Sequence, residues 1–250
     1  NLWLDSEDAL DPGVRGSTAV NPLRVAVVRL PRISNFTDVD ALGLEPDVDV
    51  RFASDRRDLL DTDLIVLPGT RSTLADLAWL RERGLAEAIG EHAAAGLPVL
   101  GICGGMQMLG RSIADPAGIE GTSGTSVAGL GLINADTEFS EQKSLRLPSG
   151  SSLGAPVTGY EIHHGVVSTG AGDEFAGGIR NGNVFATMWH GAFEADDFRA
   201  AFLADVAAAE AGKGTPPAAA PAPAPAAATH TAAKSGTVVV HTAPAPAAAA

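Results

Sequence analysis

The segment PVLGICGGMQMLG, residues 98–110, runs from a short apolar stretch through the only cysteine of the chain into a pair of glycines. The apolar residues 99–102, bounded by proline and glycine, predict a buried β-strand. The residues from Met106 onward predict the first turns of a helix. Cys103 is therefore expected at a tight turn between a strand and a helix, the backbone arrangement that exposes a nucleophile above an α/β sheet.

The surroundings of Cys103 favour chemical reactivity. The N–H groups and the positive dipole end of the following helix favour the thiolate over the thiol. Glycines at 104 and 105 allow close approach of a substrate, and the N–H of Gly104 is free to donate to an oxyanion on the attacked carbon. The alternative interpretation is a buried structural cysteine before a glycine-rich turn, since a lone free cysteine usually packs as a small apolar residue.

The residues before this segment predict alternating strands and helices. Apolar stretches at residues 23–30, 48–53 and 64–67 predict strands that are buried on both faces, as a parallel sheet requires. A short helix is predicted over residues 38–44. Two further helices, over residues 73–83 and 85–95, each end at a glycine. The sequence therefore predicts an α/β fold with a mostly parallel central sheet.

The loop that follows the third strand, PGTRST at residues 68–73, falls at the carboxyl end of a parallel strand. Such loops carry ligand-binding groups in α/β folds. By itself the loop could be only a turn. With a nucleophile turn nearby, the N–H of Gly69 or Thr70 becomes the natural second oxyanion donor.

The second half of the chain contains the candidate general base. Strands are predicted near residues 130–133 and 137–139, over residues 157–167 and over residues 183–189. His190 follows the last strand, before a helix with acidic residues in its first turn, and it is the leading candidate base for Cys103. A histidine in such a loop could also be structural. His163 and His164 are neighbours on a strand, so their side chains point to opposite faces, and they are more typical of a pocket wall than of a zinc site.

Composition sets the domain organisation and excludes some functions. We expect a linker or the end of a missing domain over residues 1–22, one α/β domain over residues 23–211, and a disordered Pro/Ala-rich tail over residues 212–250. The net charge of −13 argues against nucleic-acid binding. No apolar run is long enough for a membrane span, and a single cysteine suits a reducing cytoplasm.

The string GICGGMQ, residues 101–107, resembles the G-x-C-x-G-x-Q signature of class I, triad-type glutamine amidotransferases. Further segments resemble, within that class, the glutaminase domains of the cobyric acid synthase family: PGTRSTLADLAWLRERGL, GLGLINADT, GYEIHHG and ATMWHGAFEADDFRAAFL. This resemblance implies a flavodoxin-like fold with helices on both faces of the sheet. It implies glutamine as the substrate, Cys103 and His190 as catalytic residues, and Gln107 as a substrate contact. It also places residues 160–165, with Tyr160, His163 and His164, at the border of the glutamine pocket.

The same resemblance implies a transferase in cobalamin biosynthesis. Ammonia released from glutamine would amidate adenosylcobyrinic acid a,c-diamide to cobyric acid. The chain begins with Asn1 rather than methionine, and LWLDSEDAL resembles the end of that family's synthetase domain, so we expect a piece of a longer protein. No cofactor is expected in the present domain. ATP and magnesium, together with the corrinoid acceptor, are expected in a synthetase domain that belongs to the same or a separate chain.

One position departs from the pattern of the class. Many class I glutaminases carry a glutamate two residues after the catalytic histidine, and here that position is Ala192, with Glu194 nearby. We therefore predict a Cys-His dyad. Three alternatives stay open: a related amidotransferase such as cobyrinic acid a,c-diamide synthase or the lipid II amidating enzyme, a cysteine hydrolase acting on another amide or ester, and a non-catalytic regulatory module of the same fold.

Overall fold

A computed structural model describes Ala19 and residues 21–212 of the chain. The predicted linker and the predicted Pro/Ala-rich tail fall almost wholly outside the described residues. The domain predicted over residues 23–211 lies within the described residues. The strands are β1 (Leu23–Val28), β2 (Val48–Ala53), β3 (Leu64–Leu67), β4 (Val99–Ile102), β5 (Ser112–Asp115), β6 (Thr125–Ala128), β7 (Ala135–Arg146), β8 (Ser149–Ser152), β9 (Ala155–Thr158), β10 (Glu161–Thr169), β11 (Asp173–Phe175), β12 (Gly178–Asn181) and β13 (Val184–Thr187).

The helices lie between these strands and after the last one. Short 3₁₀ turns occur at Phe36–Val39, Arg56–Leu59 and Ala192–Glu194. The α-helices are α1 (Asp40–Gly43), α2 (Thr73–Glu82), α3 (Leu85–Ala94), α4 (Gly104–Leu109) and α5 (Asp196–Gly212). The helix predicted over residues 38–44 is therefore a 3₁₀ turn that continues into one turn of α1.

The central sheet has seven strands in the order β11-β12-β13-β4-β3-β1-β2. Its five strands from β13 to β2 are all parallel, and only the β11–β12 hairpin edge is antiparallel. The parallel part has the flavodoxin-like order 2-1-3-4-5. The connection from β1 to β2 passes through α1, and the connection from β3 to β4 passes through α2 and α3. These two connections move along the sheet in opposite directions. Because such crossovers are right-handed, α1 is expected on one face of the sheet and the α2–α3 pair on the other. The predicted α/β fold, with a mostly parallel central sheet, is confirmed.

A second sheet, in the order β10-β7-β5-β6, was not predicted as a unit. The predicted strand over residues 137–139 is the middle of β7, which pairs with β10 to form a long antiparallel ribbon. The strand predicted near residues 130–133 is wrong. The N–H groups of Leu130 and Leu132 donate to the carbonyls of Met108 and Leu109, so this apolar run packs as a loop against the end of α4.

The strand predicted over residues 157–167 is two strands. β9 ends at Thr158 and β10 begins at Glu161. Between them the main chain of Tyr160 pairs with that of His190 on the loop after β13, through N–H to carbonyl distances of 3.0 and 2.8 Å. The break therefore ties this segment to the carboxyl edge of the central sheet.

Aromatic packing fixes α5 and the end of β13 against the rest of the domain. Phe175 and Phe185 meet with ring centroids 5.1 Å apart, and Phe193 lies 5.0 Å from Phe202 of α5. These rings are buried, and each such contact adds to the stabilisation that comes from burying apolar area. The cluster holds the start of α5 beside the loop that carries His190.

Candidate active site

Four loops meet at the carboxyl edge of the parallel strands. They follow β1, β3, β4 and β13, and they contain Asp38, Thr70, Cys103 and His190 respectively. Neighbouring parallel strands end at the same edge of a sheet, so these loops lie side by side, where α/β folds bind their ligands.

Cys103 occupies the predicted strand-to-helix turn. It lies between β4 and α4 with φ 51° and ψ −108°, a backbone conformation that is strained for a residue with a side chain. Its N–H donates to the carbonyl of Thr187 at 2.8 Å, and its own carbonyl accepts from the N–H of Gln107 at 3.0 Å. Both neighbouring elements thus hold the strained turn in place, as expected for a nucleophile that must be presented to a substrate.

The turn depends on Gly105, two residues after the cysteine. A Cβ atom at this position would lie 1.9 Å from the carbonyl oxygen of Leu67 at the end of β3. Because that oxygen belongs to the main chain of a central strand, it cannot move aside at low cost. Gly105 therefore lets α4 pack directly on the sheet.

We expect Gly105→Ala to lower the free energy of unfolding by about 3 kcal/mol or more, because the added methyl group overpacks against a strand. The matched control is Gly90→Ala within α3, where a Cβ atom meets nothing within 4 Å. This control is expected to raise the free energy of unfolding by about 0.5–1 kcal/mol, since alanine loses less entropy in a helix. Urea unfolding monitored by tryptophan fluorescence measures both, and equal effects of the two substitutions would contradict the packing argument.

His190 is buried at the end of β13, and the side chain of Cys103 lies close enough to interact with its ring. On its other side, Nδ1 lies 2.6 Å from Oδ2 of Asp38. Burial of the ring acts to lower the pKa of His190, but the hydrogen bonds and charges of Asp38 and Cys103 outweigh it and raise the pKa to about 10. The arrangement therefore favours a protonated His190 ring between the side chains of Asp38 and Cys103.

The predicted Cys-His dyad is wrong, because Asp38 completes a triad. The Asp38 carboxylate also accepts the N–H of Gly191 at 2.8 Å, so the loop that carries the histidine is held by the same side chain. Asp38 is buried, and 152 residues separate it from His190. Neither Ala192 nor Glu194 supplies the acid. The signal in the sequence was an aspartate after the first strand, but only the strand order brings it to His190.

Two other side chains lie against the ring of His190. The amide nitrogen of Asn35, a residue that the sequence analysis missed, lies 3.2 Å from Nε2. Tyr160 stacks on the ring with centroids 5.1 Å apart and an angle of 27° between planes. Tyr160 was predicted at the border of the glutamine pocket. It lines a different cavity on the far side of His190, so it supports the histidine instead.

A cavity of about 380 Å³ lies in front of Cys103 and His190. Among the predicted residues, Thr70, Gln107, His163 and His164 border it. The other residues around the cavity are Ile33, Ser34, Asn35, Arg71, Thr73, Glu120, Phe139, Lys143 and Ile162. The cavity is thus a polar, charged space of a size suited to a small metabolite, with the nucleophile in its wall.

Gln107 is fixed in the wall of this cavity. Its side-chain oxygen accepts a hydrogen bond from Thr73 Oγ1 at 2.9 Å, and its side-chain nitrogen donates to the carbonyl of His164 at 3.1 Å. Because the carbonyl of His164 can only accept a hydrogen bond, the side-chain nitrogen of Gln107 must face it, so the amide has one orientation. Gln107 therefore joins α2, α4 and β10 around the cavity.

The candidate oxyanion donors lie close together. Gly104 is the first residue of α4, where N–H groups have no acceptor within the helix. A Cβ atom on Gly104 would lie 3.2 Å from the backbone nitrogen of Thr70, which shows how closely the two loops approach. Gly69 lies against the ring of His190 instead, because its Cβ position is 3.1 Å from Cε1 of that ring. The geometry favours Thr70 over Gly69 as the second donor.

His163 and His164 both border the cavity. The register between β10 and β7 shifts just after them, at Gly165, which has φ 91°. Nδ1 of His163 lies 3.2 Å from the carbonyl of Gly165, and Nδ1 of His164 lies 3.2 Å from the carbonyl of Ser140. His164 contacts Gln107 through its main-chain carbonyl and not through its ring. This contact is therefore compatible with the prediction that the side chains of His163 and His164 point to opposite faces of the strand.

The described part of the chain contains no group of three or more histidine, cysteine, aspartate or glutamate side chains arranged to hold a metal ion. In the same residues, no helix is both long and apolar enough to cross a membrane. The site itself holds a cysteine, a histidine and an aspartate side by side, with main-chain N–H groups close to the cysteine. Such an arrangement suits nucleophilic attack on a carbonyl carbon.

The model of the CobB/CobQ-like glutamine amidotransferase domain matches residues 24–198. Cobyric acid synthase of Mycobacterium tuberculosis H37Rv is 65% identical over 206 residues, which cover 81% of this chain and 42% of that protein. Cobyric acid synthase of Mycolicibacterium gilvum is 63% identical over 204 residues, which cover 81% of this chain and 41% of that protein. The chain thus spans about two fifths of the length of these curated relatives.

Two solved structures share the fold. The crystal structure of a glutamine amidotransferase has a TM-score of 0.57 at 20% identity, covering 73% of this chain and 98% of that one. The structure of PurLQS from Thermotoga maritima has a TM-score of 0.52 at 20% identity, and the match covers 74% of this chain and 98% of that chain. At these identities the comparison supports the fold.

Proposed function

Because the chain belongs to the CobB/CobQ-like glutamine amidotransferase domain family, we propose that Cys103 hydrolyses glutamine and that the ammonia is used to make cobyric acid. The observation that carries this proposal is the contact series Cys103–His190–Asp38 in the wall of a cavity that suits a small amino-acid amide. The acceptor is proposed from the relatives, which are named cobyric acid synthase and are 63–65% identical over the shared region.

In the proposed reaction, the Cys103 thiolate attacks the side-chain carbonyl carbon of glutamine and forms a carbon–sulfur bond. The carbonyl electrons move to oxygen, and the N–H groups of Gly104 and Thr70 stabilise the resulting anion. When this intermediate collapses, the carbon–nitrogen bond breaks and the imidazolium of His190 gives its proton to the leaving nitrogen, which departs as ammonia. Neutral His190 then takes a proton from water, which attacks the thioester and releases glutamate and the Cys103 thiolate.

We propose that the ammonia amidates adenosylcobyrinic acid a,c-diamide on an ATP- and magnesium-dependent synthetase domain, in the same or a separate chain. This chain covers less than half of the length of its relatives. The remaining part of those proteins supports the existence of such a domain. We further propose a cytoplasmic location, which the single cysteine supports because it leaves no internal disulfide to form. Amidation of the corrinoid by this chain together with a synthetase domain, compared with amidation of lipid II, tests the choice of acceptor.

The experiment that tests the glutaminase proposal is labelling with 6-diazo-5-oxo-norleucine, a reactive glutamine analogue, followed by intact-mass measurement. The chain has one cysteine, so the expected result is a single adduct that maps to Cys103 and is suppressed by excess glutamine. Cys103→Ala is the control for labelling at other residues, and it should give no adduct. If iodoacetamide labels Cys103 but the diazoketone does not, even with a synthetase domain present, the proposal is wrong.

A further inference from the structure

A second cavity adjoins the first on the other side of His163. It has a volume of about 470 Å³ and lies between the β7–β10 ribbon and the body of the domain, where Met106 and Met188 border it. His163 and Lys143 border both cavities. The side chain of His163 therefore lies between the proposed site of glutamine hydrolysis and the second cavity.

His163 has an unused polar atom at this position. Nε2 of its ring is buried and has no hydrogen-bond partner among the described residues, and the side chain as a whole is 10% exposed. Nδ1 faces the carbonyl of Gly165, which can only accept a hydrogen bond, so Nδ1 carries the proton in the neutral ring. Nε2 is then a buried acceptor without a donor, which costs free energy unless a ligand supplies one.

The carboxylate of Glu161 lies beside this atom. Its Oε2 is 3.7 Å from Nε2 of His163, too far for a hydrogen bond, and two acceptors do not attract each other. The carboxylate is held by Trp189, whose ring N–H donates to Oε1 at 3.1 Å, and by Ser144 Oγ at 3.4 Å from Oε2. This separation is short enough for one donor atom to lie at hydrogen-bonding distance from both acceptors, provided that the His163 side chain makes room for it.

The ligand that fits must present at least two hydrogens from one atom, and a positive charge would be favoured beside the carboxylate. The proposed reaction releases such a molecule in the adjoining cavity. Lys143 and Arg146, which also border the second cavity, oppose a cation and keep the binding weak enough for release. We propose that Nε2 of His163 and the carboxylate of Glu161 form a site for ammonia or the ammonium ion. This inference rests on the proposed glutaminase function.

Nitrogen NMR of the histidine rings tests the site in the intact chain at pH 7. Ammonium chloride is titrated against potassium chloride at constant ionic strength, because potassium is a cation of similar size without hydrogens to donate. His163→Phe assigns the resonance among the six histidines of the chain. We expect a saturable shift of the His163 Nε2 signal with ammonium and none with potassium.

Glu161→Gln should weaken this binding at least tenfold, because it removes the charge but retains an oxygen that accepts from Trp189. Glu141→Gln, an exposed position on the same ribbon with the same change of charge, should leave the binding unchanged. Near-ultraviolet circular dichroism checks that both variants keep the native packing.

Three results would overturn the inference: an equal shift with potassium, unchanged binding in Glu161→Gln, or a spectrum in which Nε2 carries a proton that is donated to Glu161. The diazoketone experiment is independent of this site. Glutamine-suppressed labelling of Cys103 without ammonium binding would leave the glutaminase function intact and reject the ammonia site alone.

Discussion

Replacing Cys103 with alanine is expected to reduce glutamine hydrolysis by at least about 10³-fold, because no other group can form the covalent intermediate. The remaining oxyanion donors and His190 would then act only on direct attack by water. Ammonia release, measured with a coupled glutamate dehydrogenase assay, gives the rate. Glutamine turnover within tenfold of the parent rate would reject Cys103 as the nucleophile.

A second substitution at this residue separates activity from stability. Cys103 has φ 51°, in the region that glycine adopts more readily than other residues. Cys103→Gly should therefore raise the free energy of unfolding by about 1 kcal/mol relative to Cys103→Ala while both variants stay inactive. Urea unfolding tests this comparison. A Cys103→Gly variant that is less stable than Cys103→Ala would show that the turn is not strained.

The second large effect is expected from Asp38→Asn, which should lower kcat by about 10²–10⁴-fold. The amide keeps the size of the carboxylate, and its oxygen can still accept the N–H of Gly191. It then presents an NH₂ group to Nδ1 of His190, which favours the wrong tautomer and removes the negative charge that stabilises the imidazolium. Glutaminase kinetics of purified protein measure the loss. Asp40→Asn, an exposed position two residues along the chain, is the matched control and should retain full activity.

The pH dependence makes the role of Asp38 specific. In the parent chain the pKa of His190 is raised to about 10, so the histidine stays protonated, and kcat stays high, until the pH approaches that value. In Asp38→Asn the alkaline limb of the profile should move to lower pH, because the raised pKa depends on the carboxylate. The raised pKa also means that the interaction of His190 with Asp38 stabilises the fold. This stabilisation is fully present below the ordinary histidine pKa of 6.5 and is lost as the pH rises through about 10. If Asp38→Asn leaves the alkaline limb in place and keeps kcat within threefold of the parent value, Asp38 has no catalytic role and the predicted Cys-His dyad is correct.

The sequence predicted the parts of this site that depend on local structure. The turn at Cys103 follows from an apolar strand, two glycines and a helix within one short segment, and the structure confirms it. The position of His190 after the last strand follows in the same way. Gln107 and His163 were assigned from resemblance, and they border the cavity.

The parts that were missed depend on contacts between distant segments. Asp38 was assigned to a short helix, and its role becomes visible only when β1 lies next to β3 in the sheet, with β4 and β13 beyond. The apolar residues near Leu130 predict a strand by composition, but their backbone groups bond to the end of α4. Tyr160 lies beside the predicted pocket, separated from it by the ring of His190. Composition and periodicity carry no information on these pairings.

Asp38 and His190 are 152 positions apart in the chain, and this separation has a consequence for how the protein is made. A ribosome produces Asp38 and Cys103 well before His190, which lies on the loop after β13, the last strand of the sheet in chain order. Because β13 pairs directly with β4, the histidine reaches the cysteine only when this final strand is added to the sheet edge. A nascent chain, or one truncated before β13, therefore carries a thiol without its base. The proposed glutaminase site is therefore complete only once the last strand of the central sheet has been made and has joined β4.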